Sequence, residues 1–241
     1  MPTLVVGASG ATGQHLVRQL LKRGEHVRAI VRSTASLPQD ISNHADLSII
    51  QASVLDLSDQ EMKEHARGCN AIASCLGHTL SFKGMFGPPH RLVTEAVERL
   101  CSAAQANQPE HTVKFVLMNT TGNRNHDLNE QVSIAEKMVI GLLRLLLPPH
   151  ADNEDAANHL RTQIGQKDRC VQWVVVRPDA LCNASEVTDI SAHPSPLRSA
   201  IFNSGKTSRI NVGSFMADLI TDANLWNQWV GKMPVIYNRD N

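Results

Sequence analysis

Gly7, Gly10 and Gly13 stand at three-residue intervals in "VVGASGATGQHLVRQLLKRGEHVRAIVRS" (5–33), directly after an apolar strand-like run and at the head of a helical one. Glycine is needed at such positions because a pyrophosphate must approach the backbone more closely than a Cβ permits, and because the helix must pack tightly on the strand. Free N–H groups at the helix start, from Gly10 through Ala11 and Thr12 to Gly13, would point at that anion. The hydroxyls of Ser9 and Thr12 add donors. About 20 residues further on comes a second informative position. An acidic residue there would hold both ribose hydroxyls and repel a 2′-phosphate, but this chain has Arg32 and Ser33, a guanidinium fork and a hydroxyl matched to phosphate oxygens. The pair predicts NADP(H) as cofactor. Arg28 could point to either face of its strand and is left outside the site.

The elements that must position these residues emerge from periodicity. Apolar runs suited to buried parallel strands recur at Thr3–Val6, His26–Val31, Leu47–Gln51, Ala71–Cys75, Lys114–Met118 and Val171–Val176. Between them, Thr12–Arg23 gathers Leu16, Leu20 and Leu21 on one helical face, and His90–Asn107 gathers Leu92, Val93, Ala96, Val97 and Leu100. Alternating strands and helices predict an α/β fold with a doubly wound parallel sheet, in one domain over 1–241. By that topology Ser53 and Val54, after the third strand, lie where an adenine rests. Leu76 and Gly77, closing "SCLG" (74–77), lie beside the pyrophosphate and nicotinamide ribose. The proline- and serine-rich "SAHPSPLRS" (191–199) is expected to be irregular, and 183–212 is either a small C-terminal substrate-capping segment or a surface loop. In "MVIGLLRLLLPPH" (138–150) apolar residues run almost around the helix, so core packing or a subunit face through 138–147 must cover them.

Composition narrows the partners. With 241 residues the chain can bury a core without staples, and its 23 basic and 23 acidic side chains leave no field for a polyanion. Nucleic acid is not expected. The five cysteines show neither CxxC pairing nor a metal-ligand pattern, and read as inert thiols with no metal site. No signal-like segment opens the chain and no run of about 18 apolar residues occurs, so a cytoplasmic protein off the membrane is expected.

With these motifs the chain resembles the atypical short-chain dehydrogenase/reductase group, which holds NmrA-like proteins and flavin reductases of the biliverdin-IXβ reductase type. The resemblance is carried by "GASGATGQHLVRQLLKRGEHVRAIVRS", "QASVLDLSD" (51–59), "AIASCLG" (71–77), "VVVRPDALCN" (174–183) and "SRINVGSFMADLIT" (208–221). It implies an NADP-binding Rossmann fold in which the Arg–Pro pair closes the sixth strand, and "INVGSFMADLI" is a strand end followed by a helix.

Two departures matter. Relatives often carry Asp at the first adenine position, where this chain has Ser53. Many use a Tyr and a Lys four residues apart, yet the one tyrosine here is Tyr237, near the C-terminus and outside any YxxxK. Counting back from "NHLR" (158–161), the dyad falls at His150 and Glu154, and Thr120 with Thr121 takes the place of the relatives' catalytic hydroxyl. Thr120 and His150 are therefore the candidate catalytic residues, the histidine as proton donor. Flavin reductases of this kind ask little of the protein in the chemical step, since hydride passes directly to a conjugated acceptor. The resemblance thus implies an NADP(H)-dependent oxidoreductase acting on a small conjugated, flavin-like or quinone-like acceptor. Its alternative is an NmrA-like NADP(H) sensor that regulates a protein partner.

Overall fold

Strand β1 (Thr3–Val6) places Leu4 and Val6 in one core layer and Val5 in the other, which is why it reads as an unbroken apolar run rather than an alternation. The computed structural model describes residues 1–78, 81, 84, 86–128, 130 and 133–239. Parallel strands β2 (Val27–Val31), β3 (Leu47–Gln51), β4 (Ala71–Ser74), β5 (Val113–Met118) and β6 (Val171–Pro178) join β1 in one sheet. Its order is β3-β2-β1-β4-β5-β6-β10-β8, with β10 (Val235–Asn238) parallel to β6 and β8 (Ile190–His193) antiparallel at the edge. Short strands β7 (Ala180–Cys182) and β9 (Lys206–Ser208) pair separately.

Helices cover both faces. On one side lie α3 (Asp59–Ala66), α4 (Leu92–Ala106) and α6 (Pro148–His159), burying Met62, Val97, Leu100 and Ala156 against Phe115 and Trp173. On the other lie α1 (Gly13–Lys22), α2 (Gln39–Ser42), α7 (Arg209–Thr221) and α8 (Ala223–Trp229), burying Leu16, Leu20, Ile41, Phe215 and Trp226 against Val116 and Val174. This is the doubly wound arrangement the sequence predicts. The chain leaves β1 toward β2 on one side and returns to β4 on the other, so the order reverses between β1 and β4, where such sheets open a crevice beyond their strand ends.

Local readings are corrected in three places. The stretch 191–199 is not irregular throughout, because Ser191–His193 belongs to β8, and regularity stops only at Pro194. The "INVGSFMADLI" segment contains no strand end, since β9 closes at Ser208 and α7 already begins at Arg209. The greasy run 138–150 is broken at Leu147, whose extended backbone ends α5 (Ile134–Leu146), while Pro148 opens α6. Core packing does not cover α5 on all sides: Met138, Leu142 and Leu146 are 66%, 55% and 55% exposed, one turn apart on its outer face.

Candidate functional site

The glycine turn is held by contacts that leave no room for a side chain. Gly7 adopts φ +74°, and a Cβ on it would stand 2.6 Å from the Cys75 carbonyl carbon and oxygen at the end of β4. A Cβ on Gly13 would stand 2.0 Å from the Gly7 oxygen, which accepts the Gly10 amide at 3.0 Å. At Gly10 the same oxygen would lie 3.1 Å away, a tight contact that a small shift relieves. Gly10 and Ala11 are exposed at the crest of the turn. The start of α1 differs from those of several other helices. Ser58, Ser133, Ser208 and Asp222 each accept an amide of the helix they open, whereas the Thr12 side chain makes no such cap. Among the described residues, nothing accepts from the amides of Ala11, Thr12 and Gly13. A helix start with open amides and an uncommitted hydroxyl, at the switch point of the sheet, fits a dinucleotide's pyrophosphate.

Arg32 and Ser33 follow β2 at this same edge, both exposed, and among the described residues the Arg32 guanidinium has no partner. Arg28 is turned away, donating to the His65 and Arg67 carbonyls. After β3, Ser53 is half-buried, but the Val54 side chain lies in the core and its carbonyl accepts from Arg99 at 3.1 Å. Leu76 packs on the core. Gly77 is exposed, with nothing within 4 Å of a Cβ, so no steric demand for glycine exists there.

Beyond β5 and β6 opens a cavity of about 470 Å³, walled by Asn119–Gly122, Ile140 and Leu143 of α5, His150 of α6, Pro178–Leu181, Ala200, Ile201 and Arg209. Thr120 and His150, thirty residues apart in sequence, meet here. Both lie within 4 Å of where a Cβ on Gly122 would stand. His150 Nε2 is buried without a hydrogen-bond partner among the described residues. Burial pulls the His150 pKa below its ordinary value, an effect Glu154 opposes and Arg144 reinforces. The imidazole is therefore neutral at neutral pH. Glu154 is buried, with Oε1 3.3 Å from Arg144 of α5 and 3.6 Å from His126 in the loop after β5, while its Oε2 has no hydrogen-bond partner among the described residues.

The model of the NAD(P)H-binding family matches residues 7–223. The chain belongs to this NAD(P)H-binding family. A protein of Synechocystis provisionally named as a dihydroflavonol 4-reductase is 35% identical over 74 residues, 31% of this chain. The match spans only 20% of that curated relative's length. A short-chain dehydrogenase/reductase from Veillonella parvula in complex with NADP superposes with a TM-score of 0.71, at 17% identity, over 98% of this chain and 94% of that one. A protein of Streptococcus pneumoniae provisionally named as an NADH-flavin reductase gives 0.67 at 16% identity, over 99% and 100%. At such identities the likeness is one of fold. Family and fold agree with the atypical short-chain dehydrogenase/reductase group read from the motifs.

For a member of the NAD(P)H-binding family, several framing residues had no sequence signal. Asn119, buried at the end of β5, accepts from the Thr120 amide at 2.9 Å and donates to the Asn153 carbonyl at 2.8 Å, fixing Thr120 relative to α6. Asp179 accepts from Thr121 Oγ1 at 3.1 Å, the Ala180 amide at 2.9 Å and the Gly205 amide at 2.7 Å, and so ties the strand end to the 194–205 segment. Asp152 takes the Val93 amide and both the amide and hydroxyl of Thr94 at the start of α4, with His78 Nε2 at 2.8 Å. Tyr237 is outside the cavity wall: its hydroxyl accepts the Leu197 amide at 3.1 Å, and burial raises its pKa. Cysteine chemistry is absent from the wall too, and burial pushes the Cys75 thiol, behind Gly7, up to about 12.

Proposed function

We propose that the chain is an NADP(H)-dependent oxidoreductase that delivers hydride to a small conjugated, flavin-like or quinone-like acceptor seated in the Thr120–His150 cavity. The observation that carries the reading is the meeting of Thr120 and His150 in one cavity beyond β5 and β6, at the same end of the parallel strands as the glycine turn after β1. The bound reduced nicotinamide would supply the hydride. Thr120 Oγ1 and His150 Nε2 would then hydrogen-bond the acceptor oxygen on which charge gathers. Residues of 183–212 that reach the wall, Ala200, Ile201 and Arg209, would exclude water from it as a cap. The test is NADPH consumption with a panel of flavins, quinones and enones, after titration with NADPH and NADH. Tight NADPH binding with no consumption of any acceptor would overturn the proposal in favour of a sensor.

Preference for NADPH is proposed on the unpartnered Arg32 guanidinium. Arg32→Glu should weaken NADPH binding by about 1.5–3 kcal/mol, roughly 10- to 150-fold, and leave NADH binding nearly unchanged. Isothermal titration with both cofactors decides, since equal losses would place Arg32 away from the 2′-phosphate.

His150 predicts a pH signature. Its pKa lies below 6.5, so its acid form is already being lost as pH rises through that lowered value. An obligatory acid would give a kcat that falls with rising pH below about 6.5. A neutral donor would give a flat kcat from about pH 6.5 to 8, which is the result expected. His150→Ala should lower kcat about 10-fold across that plateau, the scale of one neutral hydrogen bond. Unchanged turnover over pH 5 to 8 would remove His150 from the chemistry.

A further inference from the structure

Arg209 opens α7 and lines the cavity alongside Thr120 and His150. Its Nη1 donates to Asn183 Oδ1 at 2.8 Å, and among the described residues it forms no ion pair. The residue as a whole is half-buried, its hydrogen bond to Asn183 is exposed, and its charge is unneutralised among the described residues. Two contacts fix its height relative to α1. A Cβ on Gly213 would stand 2.7 Å from the Leu16 amide nitrogen, and further down Arg23 pairs with Asp218 at 2.6 Å. The two helices therefore run in the same direction, Gly213 beside Leu16 and Asp218 beside Arg23. One turn above Gly213, Arg209 stands level with Thr12, at the open amides of the glycine turn. Electrostatics agree: His15 is held below its ordinary pKa first by burial and then by the charges of Arg18 and Arg209.

We infer that Arg209 is a second anion anchor for the dinucleotide, supplied by α7 across from the glycine turn and directed at the phosphate on the nicotinamide side. Its place supports that side: Arg209 shares the cavity wall with Thr120, whereas Arg32, at the far end of the cofactor's span, follows β2. An unpaired guanidinium between the turn and the cavity also links the cofactor to the capping segment through Asn183. On the NADP(H) reading proposed above, on which this inference rests, Arg32 and Arg209 divide the recognition. The first reads the 2′-phosphate, and the second holds a phosphate that NADH and NADPH share.

Equilibrium titration of the full chain with NADPH, NADH and 2′,5′-ADP tests the assignment without any acceptor. In Arg209→Gln both dinucleotides should bind about 10- to 100-fold more weakly, the loss of one charge-assisted hydrogen-bonded pair. Binding of 2′,5′-ADP, which has no nicotinamide-side phosphate, should not change. Arg209→Lys keeps the charge and should recover most of the loss, and unchanged 2′,5′-ADP binding reports an intact fold. Unaltered affinity for both dinucleotides, a loss confined to NADPH, or an equal loss for 2′,5′-ADP would each overturn the inference.

Discussion

Gly13→Ala is expected to abolish useful dinucleotide binding while the protein stays folded. Its Cβ would stand 2.0 Å from the Gly7 oxygen, 2.8 Å from the Gly7 carbon and 3.1 Å from the Ala8 Cα, all backbone atoms with no flexible end to swing aside. The backbone must therefore move by about 1 Å to regain van der Waals distance. Gly7 cannot yield freely, because the Cys75 carbonyl group would lie only 2.6 Å from a Cβ on it, leaving little free space, and its oxygen accepts the Gly10 amide. Displacement then spreads through the amides that would meet the pyrophosphate, and affinity for NADPH and NADH should fall together by more than about 100-fold, or about 2.7 kcal/mol. Stability should fall only by the about 1–3 kcal/mol of an overpacked site. Gly141→Ala, exposed in α5, is the control, since its Cβ meets nothing within 4 Å and dinucleotide affinity should be unaltered. Undiminished binding in Gly13→Ala would mean that the dinucleotide sits elsewhere.

That turn is legible in the sequence because its chemistry is local. Strand, glycine spacing and helix lie within residues 3–22, and the steric demand at Gly7 and Gly13 is one that a sequence can announce. Gly77 shows the limit, for it matches a motif position without any such demand. The six apolar strands are equally readable. Length does not separate them, since β1 and β4 have four residues as β8 and β10 do; strands β7 to β10 are hidden because they are held by pairing with distant strands rather than by their own patterning. Pro194 and Pro196 draw attention to irregularity just where β8 ends. The cavity is the least legible feature, because Thr120, His150, Ala200 and Arg209 come from four separate segments. Resemblance points to the first two. For Arg209 the deciding quantity is the register of α7 on α1, set by Gly213 and Asp218, and no local pattern encodes it.

The Arg–Pro pair makes the same point energetically. Sequence marks Arg177–Pro178 as the close of β6, but not that Arg177 is fully buried and reaches back to Glu130. Its Nη2 meets Glu130 Oε1 at 2.7 Å and Nη1 meets Oε2 at 3.3 Å, while the carbonyls of Asn123, Pro194 and Met233 accept its other donors. One side chain thereby fastens the loop after β5, the stretch after β8 at Pro194 and the approach to β10. Glu130→Ala would leave a buried guanidinium without its counter-charge, at a cost of about 3–5 kcal/mol. For a chain of this size the melting temperature should fall by about 10 °C or more. The order of variants separates charge from packing. If the counter-charge governs, Glu130→Asp, which keeps it, should lose least, and Glu130→Gln, which keeps the shape but turns an amide toward a donor-only partner, should lose nearly as much as alanine. A Glu130→Gln protein as stable as the wild type would refute that account. Function should divide in the same variants: the glycine turn is built from β1, α1 and the end of β4, so NADPH affinity below the melting transition should survive. On the proposed function, turnover would need Asn119–Gly122, Ala200 and Ile201 held at the cavity wall, and should fall with the stability of that peg.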